Sequence, residues 1–211
     1  MKKFFAGLDL GQSADFTALA IAERIITSDK LRYEVRHLER FPLGTPYPDI
    51  VVKMKALVST PALADNVTLA IDATGVGAPV VDMFTVAQLP CPWYAIHIHG
   101  GDKVTREGRH YRVPKRDLVS VVQVLLQSER LKIGATLPAA KTLIAELLNF
   151  RIKIDPQTAH DSYAAWREGI HDDLVLATAL ATWTAENVTE SAPPWGLDLS
   201  GFAKTSAWRP Q

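Results

Sequence analysis

Three aspartates stand at the ends of apolar runs. Asp9 closes one in Gly7-Leu8-Asp9-Leu10-Gly11, and Asp72 closes another in Ala70-Ile71-Asp72-Ala73-Thr74-Gly75. Asp172 and Asp173 open a third in His171-Asp172-Asp173-Leu174. An acidic residue that follows an apolar strand lies at the sheet edge where open α/β sheets bind ligands. Two neighbouring strand ends can bring Asp9 and Asp72 together, and a helix starting beside them adds a third carboxylate. Carboxylates gathered in this way repel one another unless cations sit between them. Hard ions such as Mg²⁺ and Mn²⁺ prefer such oxygen ligands. Two such ions about 4 Å apart stabilise both the attacking and the leaving oxygen of a phosphoryl displacement. Each aspartate also has a plain structural use, in a turn for Asp9 and Asp72 and as a helix N-cap for Asp172 or Asp173.

A second group is basic. Lys103, Arg106, Arg109, His110, Arg112, Lys115 and Arg116 crowd one short segment, diluted by Asp102, Glu107 and Asp117. A loop of this kind beside the carboxylates would grip a phosphate backbone and give affinity without sequence readout; the plain alternative is a solvated hairpin. His97 and His99 alternate on one predicted strand and, with no third ligand nearby, read as strand residues. His171 suits a helix start as well as a site, and Asp15 suits the turn after Asp9. Asp161 and Glu168 approach the last motif without an evident role. Ser13 and Thr17 near Gly11 match no phosphate-loop spacing. Cys91 is the only cysteine, which excludes an intramolecular disulfide and a cysteine-cluster zinc site.

The elements that must position these residues fit one domain, since 211 residues with 47% apolar content suffice for a single core. The 23 basic and 23 acidic residues cancel, which argues against an indiscriminate polycation. A local basic surface and a local acidic site would cancel in the same sum. No apolar run reaches the ~18 residues of a membrane span. The opening Met1-Lys2-Lys3-Phe4-Phe5 stretch is cut short by Asp9 without a cleavage site, so a cytoplasmic protein is expected. Residues 4–10, 16–22 and 31–40 read as three strands joined by short turns. The third shows the period-2 alternation of Leu31, Tyr33 and Val35 against Arg32, Glu34 and Arg36. A helix carrying Ile50, Met54, Leu57 and Val58 follows. Strand 67–71, helix 76–89 and strand 93–98 then suggest parallel crossovers. Residues 100–113 read as an exposed hairpin or loop. Two helical stripes follow, Leu118, Val121, Val122, Leu125 and Leu126, and then Leu143, Ile144, Leu147 and Leu148. Late strands at 151–154 and 163–168 precede a last helix at 171–186. The expected division is a domain over residues 1–186 and a C-terminal extension over 187–211, the latter bearing Trp195 and Trp208.

Taken in order, the motifs resemble the nuclease domain of bacteriophage terminase large subunits. Gly7-Leu8-Asp9-Leu10-Gly11 with Asp15-Phe16-Thr17-Ala18 resembles its first motif, and Ile71-Asp72-Ala73-Thr74-Gly75-Val76-Gly77 its second. His171-Asp172-Asp173-Leu174-Val175-Leu176-Ala177 resembles its third. Gly100-Gly101, Tyr111-Arg112-Val113-Pro114-Lys115 and Leu118 also look like that family, so the likeness spans residues 4–186. The resemblance implies an α/β, RNase H-like (RuvC-like) mixed sheet, with antiparallel first three strands and then parallel strands, flanked by helices. It implies a metal-dependent DNA endonuclease used in genome packaging. Asp9, Asp72 and Asp173 would be catalytic metal ligands for Mg²⁺ or Mn²⁺, two ions in all, with Asp172 as helper ligand or cap. Spacing alone leaves Asp172 and Asp173 open as the main ligand, and Asp173 is favoured. Lys103, Arg106, Arg109, Arg112, Lys115 and Arg116 would contact double-stranded DNA. Implied partners are a terminase ATPase domain, the small terminase subunit and the portal, in the bacterial host's cytoplasm if the chain is phage-encoded. One departure is plain: no G-x-x-x-x-G-K-[ST] phosphate loop occurs, so this chain would not pump DNA by itself. Two other readings share some features. A Holliday-junction resolvase has the same fold and metal chemistry. An ATP-binding domain of the actin, sugar-kinase and Hsp70 type also opens with a strand, Asp, Gly and a hydroxyl residue, but needs two such domains.

Overall fold

The structure is a computed structural model that describes residues 2–11, 15–28, 30–75, 77–154, 161–165 and 172–188. The expected three-stranded meander is present as β1 (Lys3–Asp9), β2 (Ala18–Ile26) and β3 (Leu31–Arg40), antiparallel throughout. α1 (Tyr47–Val58) follows, with Pro46 at its N-cap and Pro48 in its first turn, where a missing N–H costs no hydrogen bond. β4 (Val67–Asp72), α2 (Gly77–Ala87) and β5 (Trp93–His99) make the crossover expected from the sequence; β4 lies parallel to β1, and β5 parallel to β4.

The basic segment folds differently from a free loop. β6 (Thr105–Glu107) and β7 (His110–Pro114) do form a hairpin, turning at Gly108 with φ +59°. But β7 also joins β5 in parallel and buries Tyr111 and Val113, because its alternate residues face the core. α3 (Lys115–Gln127), β8 (Leu131–Ile133), α4 (Ala140–Asn149), β9 (Phe150–Ile154), β10 (Asp161–Ala165) and α5 (Asp173–Asn187) complete the order. β8, unanticipated in the sequence, is three residues long and pairs in parallel with β3 at the sheet edge. The main sheet runs β6-β7-β5-β4-β1-β2-β3-β8, and β9 and β10 form a separate antiparallel pair. This is the RNase H-like mixed sheet expected above. The part of the late-strand reading beyond residue 165, and the expected extension from 189 onward, lie outside the described residues; α5 reaches Asn187, and Val188 is buried behind it.

Helices cover both faces, which is why β1 from Phe4 onward and all of β4 are buried and mostly apolar. On one face Leu8, Leu69 and Ile71 pack against Ile50, Met54 and Phe84 of α1 and α2. On the other, Phe5, Ala20 and Ala70 pack with Leu118 and Leu125 of α3 and with α5. Burying each large side chain of these layers contributes roughly 1.5–3 kcal/mol. α5 is buried on nearly all sides, and its C-terminal end is tied to the sheet. There Glu186 accepts hydrogen bonds from the buried Tyr33 hydroxyl (2.6 Å) and from Arg130 (2.6 Å).

Candidate metal centre

Register brings the first two aspartates together. Leu8 pairs with Ile71 across β1 and β4, so the next residues, Asp9 and Asp72, end neighbouring strands side by side. Both alternate with residues of the α1–α2 layer and therefore face α5. On the other side Asp9 pairs with Ala18, and Ala18 with Arg40. Asp72, Asp9, Ala18 and Arg40 thus form one row across four strands, with the small Ala18 between the acids and the guanidinium.

α5 delivers the third carboxylate, and Gly7 sets how close it comes. A Cβ on Gly7 would lie 2.0 Å from the Ala177 carbonyl oxygen and 2.6 Å from Ala181 N, so only glycine permits this approach. Asp9 lies two residues beyond Gly7 along β1, and Asp173 lies one turn before Ala177. The start of α5 therefore falls over the row of strand ends. Asp9, Asp72 and Asp173 are all buried.

Burial, and then the charges of Asp72, Asp173 and Asp172, hold the Asp9 carboxyl well above the usual carboxylate range. Burial also pushes Asp72 up, although hydrogen bonds from Thr74 and Asp9 and the charge of Lys115 oppose it. The Thr74 backbone N–H donates to Asp72 Oδ1 at 2.7 Å, and the Thr74 hydroxyl accepts from Ile98 N at 2.6 Å. The loop after β4 is thereby pinned to β5. Asp9 and Asp72 are a buried, adjacent acid pair that cannot carry two charges at low cost.

Asp172 occupies the N-cap position of α5 but makes no side-chain cap hydrogen bond. Its Oδ2 lies 3.5 Å from the ammonium of Lys115, the first residue of α3, and the Lys115 charge is felt at both Asp9 and Asp72. The other basic residues separate into two groups. Arg112 is exposed on β7 opposite His97, Lys103 is exposed in the preceding turn, and Arg116 pairs with Asp102 at 2.8 Å. Arg106 and Arg109 lean toward the far end of β5. Arg106 lies 5.1 Å from the Tyr111 ring and 5.8 Å from that of Tyr94, and Arg109 lies 4.3 Å from the Trp93 ring. His97 stacks on His110 with ring nitrogens 3.1 Å apart, and His99 Nδ1 accepts from Gly101 N, so these histidines bond locally as strand residues. His171, Glu168 and Ser13 lie outside the described residues.

Two residues at the centre escaped the sequence reading. Arg40 Nη2 lies 3.4 Å from Asp173 Oδ2 and also bonds Glu146 of α4. Glu146 is buried and accepts a hydrogen bond from Val175 N (3.0 Å), capping α5 from a neighbouring helix. Burial above all lifts the Glu146 carboxyl to about 7, against the pull of Arg40. The stripe expected on α4 is accordingly rotated: Leu143 and Glu146 point inward, while Ile144 and Leu148 are exposed. A charged residue three positions after Leu143 on an amphipathic helix was the available signal.

The donor set suits a hard divalent cation, being all carboxylate oxygen and short of positive charge. Asp9 and Asp72 supply the formed half. Among the described residues no three Asp, Glu, His or Cys groups already enclose an ion, and Asp173 Oδ2 lies 3.4 Å from Arg40 Nη2.

Solved structures share this architecture. The large terminase nuclease of the thermophilic phage G20c with bound magnesium is 21% identical over 86% of this chain and 80% of its own, with a TM-score of 0.63. The large terminase of bacteriophage HK97 is 16% identical over 87% of this chain and 40% of its own, with a TM-score of 0.57. The manganese-soaked terminase nuclease domain of human cytomegalovirus is 14% identical over 88% and 86%, with a TM-score of 0.55. No protein-family model matches the chain, and no curated protein sequence matches it. The fold of this chain is thus the RNase H-like fold of large-terminase nuclease domains.

Proposed function

We propose that this chain is a divalent-metal-dependent endonuclease that hydrolyses DNA phosphodiesters, the DNA-cutting nuclease domain of a phage large terminase. The observation that carries this reading is the buried Asp9–Asp72 pair, side by side on neighbouring strand ends and facing α5 with Asp173 at the helix start, in a fold shared with terminase nucleases solved with magnesium or manganese. Asp9 and Asp72 would hold the metal as carboxylates, and Asp173 would complete the set. Thr74 fixes the Asp72 carboxylate through its backbone N–H. Asp173 is favoured over Asp172 because it is the more buried and the stronger of the two in its effect on Asp9. Asp172 holds Lys115 close to the acids, where the ammonium can meet a phosphate. A pair of Mg²⁺ or Mn²⁺ ions bound there supplies charge stabilisation for the attacking and leaving oxygens.

Cleavage of supercoiled plasmid with Mg²⁺, Mn²⁺ or chelator tests this reading. Cutting should require metal and fall at least about 100-fold in Asp9→Asn and Asp72→Asn, the upper range seen for disturbing a metal's supporting shell. Metal-independent cutting, or full activity in both variants, would reject it.

The DNA contact is proposed for Lys115, Arg112, Arg116 and Lys103, with Arg106 and Arg109 more distant contributors. Replacing Arg112 and Lys115 together by Gln should weaken DNA binding and reduce its salt slope by about 2; an unchanged slope would remove both from the interface.

A further inference from the structure

The single guanidinium of Arg40 stands between two buried carboxylates. One is Glu146, with which it makes a direct hydrogen bond; the other is Asp173, 3.4 Å from its Nη2. Its ring-face neighbour is Phe16, 4.8 Å from the guanidinium carbon, so the arginine has an apolar side that supplies no alternative charge. Glu146 is committed at both oxygens: Oε1 to Arg40, and Oε2 to the backbone N–H of Val175 in the first turn of α5. The N-cap residue Asp172 leaves that turn uncapped and is engaged by Lys115 instead. One carboxylate on α4 therefore both fixes the start of α5 and occupies the cation that would otherwise pair fully with Asp173.

An arginine paired to a ligating carboxylate competes with the metal for it, since both bind the same oxygens and only one positive partner is needed. We propose that Glu146 and Arg40 are a positioning pair that sets the metal affinity of Asp173, Glu146 sharing the guanidinium so that it binds the aspartate less tightly and competes less with a metal. The proposal rests on the metal-centre reading above. Neither residue touches the metal; both act through Asp173.

Glu146→Gln separates this role from simple capping. The amide oxygen still accepts from Val175 N and the side chain keeps its shape, but the negative charge that holds Arg40 is gone. The measurement is Mn²⁺ binding by calorimetry on the whole chain at about pH 8, above the raised Glu146 value so that its carboxylate is charged, beside the melting temperature in chelator. Wild type is expected to bind Mn²⁺. Glu146→Gln is expected to melt no lower than wild type but to bind Mn²⁺ about tenfold or more weakly, within the range for a metal's supporting residues. The double variant Arg40→Gln with Glu146→Gln, which lacks the competing cation, is expected to regain most of that affinity. Unchanged Mn²⁺ affinity in Glu146→Gln would reduce Glu146 to a helix cap and overturn the proposal, as would a double variant as weak as the single one. Absence of Mn²⁺ binding in wild type would instead overturn the metal-centre reading itself, and the proposal with it.

Discussion

A carboxyl buried beside other carboxyls keeps its proton to higher pH than in water, and Asp9, Asp72 and Glu146 all show this direction of shift. Such a group holds its proton in the native state after the unfolded chain has lost it, so its contribution to stability falls as pH rises from the ordinary carboxylate range to the folded value. For Glu146 that window runs from 4.5 to about 7. Asp9→Asn removes one of these groups, so in chelator the variant should gain stability relative to wild type as pH is raised from about 4 to 7, by denaturant melts at each pH. A variant that loses stability relative to wild type over this interval would contradict the electrostatics. The aspartates were legible because each stands at one end of an apolar run. Arg40 was not, for a reason of register. In β3 the inward residues are Tyr33 and Val35, then Leu38, because an irregularity opposite Ile21 and Ala22 inserts Arg36 and switches the alternation. Strict period-2 reading turns Arg40 outward; the bulge turns it toward α5.

Between elements, the decisive contact is that of β1 with α5 at Gly7. The glycine is conspicuous in Gly7-Leu8-Asp9, but which helix it admits depends on a residue 170 positions later, and no local pattern carries that pairing. Gly7→Ala should cost about 3 kcal/mol or more in urea unfolding, the upper part of the overpacking range, because the clash is with helix backbone and not with a movable side chain. A loss under about 1 kcal/mol would mean that α5 does not sit this close. Tertiary contacts likewise decide the roles of β7 and α4. β7 looks like part of a polar loop because Arg112 and His110 dominate its composition, yet Tyr111 and Val113 between them bury it in the sheet. α4 carries more apolar residues than its inward face uses, and it is the start of α5 that selects Glu146 for the interior.

At the scale of the molecule, the strand order places all the acidic ends at one edge of one sheet, and the two helical layers bury the rest. That architecture was readable from the switch between a meander and strand–helix–strand alternation. The short edge strand β8 was not, because three residues leave no periodicity. The zero net charge also acquires a spatial meaning, with buried acids at the strand ends and exposed Arg112 and Lys103 on the β6–β7 side. In the proposed function this edge binds metal through Asp9 and Asp72. Crystals of the chain soaked in Mn²⁺, with anomalous scattering to locate the ions, test it most directly. Density between the Asp9 and Asp72 carboxylates, with Asp173 turned from Arg40 to join them, is the expected result. Manganese bound only elsewhere, or an Asp9–Asp72 pair unchanged at saturating Mn²⁺, would contradict the account.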